Sequence, residues 1–178
     1  MRRSIVSASD PREIPFNGVR LRFDSPKSFD DLVDALLDDV GDKPVKIDDI
    51  AARFGSWESY EQEVQSHVGP GGFMLFALWN HGGWISKAGI EKKVLRIVIG
   101  NPLIAITMLR HDVTGGLFAP VELLLTEEDN GRSELTYVVP SSLMVFEPNP
   151  PLRAAAQELD AKLAALAATV TTSSRKTD

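Results

Sequence analysis

The stretch LWNHGGW (78–84) gathers two of the chain's three tryptophans and one of its three histidines. An imidazole titrates near neutral pH, so His81 could pass a proton or bind a polar group if a neighbour fixes its tautomer. Asn80 or the turn backbone could supply that neighbour. Trp79 and Trp84 could wall a pocket or stack on a flat ligand. A plainer role fits the same residues: His81 satisfies turn backbone and the tryptophans fill the core, as Trp79 is expected to do at the end of an apolar run. Both readings stand on residue types alone.

Other candidate chemistries are weaker. His67, His81 and His111 show no HxH or HxxxH spacing, so no metal is expected, and no cofactor signature accompanies them. Zero cysteines remove disulfides, thiolate catalysis and cysteine-held metals. Ser86, Ser141 and Ser142 lie in no G-x-S-x-G elbow, so a nucleophile beside a base is not in view; Ser141 reads as a cap after VVP. GNP (100–102) resembles a phosphate loop only in leading towards a helix. It lacks further glycines and a lysine, and it reads better as Asn101 capping a helix whose first residue is Pro102. Asn101 and Tyr137 remain candidates for polar contact with a ligand.

The elements that must position these residues follow from periodicity. VRLRF (19–23) alternates like a half-buried strand. SPKSFDDLVDALLDDVG then places Phe29, Leu32, Val33, Leu36, Leu37 and Val40 at helical spacing, with Ser28 to cap and Gly41 to stop the helix. Residues 42–72 read as a helical insertion of two short helices ended by GPGG, rich in acids on what is most simply a solvated face. FMLFALW (73–79) and VLRIVIG (94–100) read as buried central strands, joined by a turn with one short helical piece. NPLIAITMLRHD is a helix. LFAPVELLLTEEDNGRSELTYVV is a hairpin turning at Asp129-Asn130-Gly131. PLRAAAQELDAKLAALAATV (151–170) is an amphipathic helix. Residues 1–17 are expected as a flexible arm and 171–178 as a disordered tail around one domain, 18–170. The whole is an α+β chain with helices packed on a largely antiparallel sheet.

Bulk composition narrows the partners. A net charge of −6 leaves no excess of Lys and Arg to displace counterions from nucleic acid or to dock on anionic membranes. MRRSIVSASDP has no apolar stretch behind its basic pair, and no segment is long and uncharged enough to span a bilayer. A cytoplasmic domain with neither nucleic acid nor membrane as partner is expected.

NHGGWISKAGI (80–90), IGNP (99–102) and GGLFAPVELLLTEEDNGRSELTYVVPSSL (115–143), in this order and spacing, resemble the bacterial and archaeal family called domain of unknown function 302. The similarity is clearest over 78–143. It implies a TATA-binding-protein-like curved antiparallel sheet with helices on one face, and a homodimer, but no reaction. Asn80 stands where the family usually has an acid, and residues 42–72 exceed its usual length. The expectation is therefore a non-enzymatic domain holding a small, partly apolar ligand near His81, lined by Asn80, Trp79 and Trp84, with the segment bearing Trp57 and Tyr60 able to act as a lid. The rivals are an enzyme with His81 as general acid or base, and a purely structural or interaction module.

Overall fold

A computed structural model describes residues 11–173. Five strands form one sheet: β1 (Arg20–Ser25), β2 (Met74–Asn80), β3 (Val94–Gly100), β4 (Val121–Glu127) and β5 (Ser133–Val138), in the order β1-β5-β4-β3-β2 with every neighbour antiparallel. Seven helices accompany them: α1 (Phe29–Val40), α2 (Ile47–Arg53), α3 (Trp57–Ser66), α4 (Gly82–Ile85), α5 (Pro102–Leu109), α6 (Pro140–Met144) and α7 (Pro150–Thr171). The architecture is α+β, as the periodicity suggests.

Period-two alternation sorts the strands into two faces. Leu123 and Leu125 of β4, Leu135 and Tyr137 of β5, and Ile97 and Ile99 of β3 join one core with Leu32 and Leu36 of α1, Met108 of α5, Met144 of α6 and the buried stripe of α7. The alternate positions carry charge instead, with Arg22 paired to Glu134 at 2.9 Å and Arg96 paired to Glu122. Helices thus share one side of the sheet with its apolar residues, and the other side is laced with ions.

Helix ends follow local chemistry. The Ser28 hydroxyl accepts from the Asp31 N–H at 3.1 Å, and Gly41 closes α1 at φ 91°, a backbone region that glycine enters without a Cβ penalty. Asn149 caps α7 by accepting from the Leu152 N–H at 3.2 Å. Leu152, Ala156, Leu159, Leu163 and Leu166 then recur down one stripe of α7; burying each leucine is worth roughly 1.5–3 kcal/mol. The β4–β5 hairpin turns through Asn130 and Gly131, both at positive φ.

Four expectations change. β2 is an edge strand, not a central one: β3 lies on one side of it, and its other side is met by the Val45 N–H donating to Leu75 O at 2.8 Å, with the Gly69 N–H donating to the O of Phe73, the residue just before the strand, at 2.8 Å. Its apolar run is explained by residues 42–72, whose Ile50 and Val64 bury Met74 in a second cluster beside the main core. Gly69 approaches so closely that a Cβ there would lie 1.6 Å from Asp39 O. Trp79 is 48% exposed rather than in the core, because it stands opposite Arg96 on the charged face. Ser141 caps nothing; its N–H donates to Asp160 Oδ1 at 3.0 Å, and it is the Ser142 hydroxyl that donates to Val139 O at 2.6 Å. Finally, α7 runs to Thr171, a buried residue whose carbonyl accepts from the Ser25 hydroxyl at 2.9 Å, so residue 171 belongs to the helix and not to the expected tail. Of the expected arm, residues 1–10 lie outside the described residues, as do 174–178 of the tail. Phe16 meets Phe118 edge-on at 5.9 Å, and Arg12 pairs with Glu147 at 3.2 Å.

Candidate functional site

β2 delivers Asn80 to the end of the sheet, and the chain turns at once into α4. The Asn80 side-chain oxygen accepts from the Gly83 N–H at 2.9 Å, while His81 O accepts from the Trp84 and Ile85 N–H groups at 3.2 and 3.0 Å. Gly82 is required by close approach: a Cβ there would sit 2.8 Å from Lys92 O and 3.1 Å from Val94 N. The turn is thereby pressed against the start of β3.

Trp84, not Asn80, fixes the histidine. Its indole N–H donates to His81 Nδ1 at 3.2 Å, with the two rings edge to face and 6.0 Å between centroids. Indole nitrogen can only donate, so neutral His81 carries its own proton on Nε2. In that tautomer the free edge of the ring is a hydrogen-bond donor, and the lone pair that a general base needs is already engaged.

Between this turn and α1 lies a cleft of about 670 Å³. Phe29, Val33 and Leu95 give it apolar surface, and Asn80, Gly82, Gly83 and Ser86 line it on the side of the turn. Asp30, Asp34, Glu91, Lys92, Lys93 and Glu127 add charge. Lys93 bonds Asp30 at 2.6 Å and stands 5.6 Å from the Phe29 ring centre; Lys92 bonds Asp129 at 3.1 Å. The hydrogen bond to Asp30 raises the Lys93 pKa, and the one to Asp129 raises that of Lys92. Both lysines are charged and paired. Asp34, Glu91 and Glu127 have no ion-pair partner among the described residues, so the cleft is biased towards negative charge.

The residues singled out by sequence therefore divide. Asn80 lines the cleft, and His81 with Trp84, itself 61% exposed, forms the adjoining turn. Trp79 belongs elsewhere, with the Arg96 guanidinium 5.3 Å from its ring centre on the charged sheet face. Asn101 caps α5 through the Leu103 N–H at 2.8 Å and donates to Gly72 O at 3.0 Å, beside a separate apolar cavity. Tyr137 lies in the core at 3% exposure, stacked on Phe23, with no hydrogen-bond partner for its hydroxyl among the described residues. Burial, and then the charge of Asp160, push its pKa up. Sequence reasoning missed Phe29, Val33 and Lys93. The first two look like core positions of an amphipathic helix, and only the Lys92–Lys93 doublet hinted at a polar rim. No three His, Asp or Glu side chains among the described residues cluster as metal ligands, and none of the described helices is long and apolar enough to cross a membrane.

The family model described as Domain of unknown function DUF302 matches residues 50–170. The chain belongs to the DUF302 family. The match begins inside α2, so β1 and α1, which supplies Phe29 and Val33 to the cleft, precede it. Among solved structures, an uncharacterized conserved DUF302 protein from Bacillus stearothermophilus is similar at a TM-score of 0.60 and 18% identity, over 85% of this chain and 97% of that one. At that identity the likeness concerns the DUF302 fold and not a function. No curated protein matches the chain.

Proposed function

We propose that this DUF302 domain is a non-enzymatic binder of a small, partly apolar ligand, held in the cleft between α1 and the Asn80–Ser86 turn. The observation that carries this reading is the pinned turn: the Trp84–His81 and Asn80–Gly83 hydrogen bonds hold polar backbone and the Ser86 hydroxyl opposite the apolar side chains of Phe29, Val33 and Leu95. An apolar surface with a few convergent polar groups is the usual make-up of a ligand site. The unpaired Asp34, Glu91 and Glu127 favour a neutral or cationic ligand over an anion. The tautomer of His81 speaks for a donor that orients the turn or the ligand rather than a proton acceptor in a reaction.

Benzylamine and phenethyl alcohol are suitable probes, with benzoate as the anionic comparison. The expected result is saturable movement of the Gly82, Gly83 and Ser86 amide resonances by the first two and much less by benzoate. Gly83→Phe, placed in the cleft lining, should block it, and His81→Ala or Trp84→Ala should weaken it by freeing the turn. Resonances that stay still for both probes, or binding untouched in all three variants, would overturn the assignment.

A cytoplasmic homodimer is part of the same proposal. The charged sheet face, with Trp79 exposed beside Arg96, is the surface we assign to the second copy. Light scattering that returns a monomer mass at micromolar concentration removes that part without touching the cleft.

A further inference from the structure

We infer that the domain has a second ligand site, separate from the cleft: an apolar cavity between α3, α5 and the adjoining strand ends that takes a small neutral aromatic molecule carrying at most one hydroxyl group. The cavity has a volume of about 230 Å³ and is open to solvent on one side. A dry apolar cavity of roughly 150 Å³ already accepts benzene, so this one has room for a substituted ring. Its lining draws on Ile47 and Tyr60 from residues 42–72, Phe76 from β2, Ile104, Ala105 and Met108 from α5, and Leu159 from α7.

Charge is absent from the lining, which contains no Lys, Arg, His, Asp or Glu. An ion seated against this lining would lose part of its hydration with no charged partner to replace it, whereas a neutral ring loses little. Two side chains can meet a polar group. Asn101 is engaged at both ends of its amide, through Leu103 and Gly72. Tyr60 is left: its hydroxyl has no hydrogen-bond partner among the described residues, and burial followed by the charge of Asp48 raises its pKa, so it stays protonated and able to donate or accept. Trp57 packs against its ring at 5.6 Å and holds it in place.

Small residues keep the space open. At Gly100 a Cβ would lie 2.7 Å from Phe76 Cε2 and 3.0 Å from Pro120 Cβ, so that position stays bare for local reasons. Ala105 on α5 and Ala119 also line the cavity. Protein interiors are otherwise closed by side-chain choice to the density of organic crystals.

The test uses the full chain and three probes: p-cresol, toluene and benzoate. Methyl NMR should show saturable shifts at Ile104, Ala105, Met108 and Ala119 with p-cresol and toluene, p-cresol binding several-fold tighter, and benzoate at pH 7 at least tenfold weaker than either. Tyr60→Phe should erase the preference for p-cresol over toluene and leave toluene binding intact. Ala105→Phe should fill the cavity and abolish binding; Ala105→Leu, a milder filling, should weaken it at least tenfold if the larger ring prevents folding. Gly83→Phe, which blocks the cleft, should leave these shifts unchanged, which separates this site from the other. No methyl shifts up to the solubility of toluene, equal binding of benzoate, or unaltered binding in the filled variant overturns the site. A p-cresol preference that survives Tyr60→Phe overturns the role given to that hydroxyl.

Discussion

With His81 Nδ1 accepting the indole proton of Trp84, the site holds its imidazole by an aromatic donor and not by a carboxylate. Crowding of two Trp and one His into seven residues was visible in the sequence; which of the tryptophans faced the histidine was not. Strand alternation sends Trp79 to the charged face with Arg96, and only the turn after β2 brings Trp84 back onto His81, three residues after that histidine. Tyr137 shows the other limit of residue types, since a phenol that looked available for a ligand lies in the core without a hydrogen-bond partner among the described residues. Its hydroxyl contributes desolvation without compensation. Tyr137→Phe should therefore leave stability unchanged or raise it by up to about 1 kcal/mol, read from the urea midpoint. The two tyrosines of the chain, Tyr60 and Tyr137, also set an alkaline limit. Burial raises the pKa of each above the ordinary 10.0, so above that pH the folded chain retains protons that the unfolded chain has lost. Their contribution is fully present below pH 10.0 and disappears as pH rises through the higher folded values. Absorbance at tyrosinate wavelengths should accordingly rise at higher pH in the folded protein than in the urea-unfolded chain, and coincident titration curves would contradict this.

Capping chemistry at the level of elements was legible with little error, because caps are local. Ser28 and Asn101 each accept the backbone proton that their position in sequence promised. Asn101 does more than its sequence reveals, since its amide also donates to Gly72 O and ties the start of α5 to the end of the segment 42–72. Asn101→Ala should cost about 1–2 kcal/mol, whereas Asn101→Asp, which keeps the acceptor and loses the donor, should fall between Ala and the native residue in thermal unfolding. The place of β2 in the sheet was the element that sequence misjudged. A continuous apolar run says that both faces of a strand are buried; it does not say whether another strand or a pair of helices does the burying. Here the cover comes from residues whose acidic texture drew the eye to their solvent side instead of to Ile50 and Val64.

Across the whole molecule, the class of fold was readable because each periodic segment was long enough to declare itself, and because the hairpin fixed two neighbouring strands. The cleft was not readable, since its walls come from α1, the turn after β2 and the start of β3, segments that meet only through the sheet order. The two hydrogen bonds from Val45 to the outer edge of β2 and from Gly69 to Phe73, the residue just before it, carry a further meaning for the chain's behaviour in solution. Stripped of that cover, MLFALW would present an uncharged, proline-free hexapeptide along an open edge, the composition from which stacked cross-β assemblies grow. Replacing residues 43–69 by a short Gly-Ser linker should therefore convert a dispersed protein into one that binds thioflavin T and sediments as fibrils, while Leu78→Lys in the same background should restore solubility. The segment that helps to form a ligand cavity would then also be a built-in guard against self-templated aggregation.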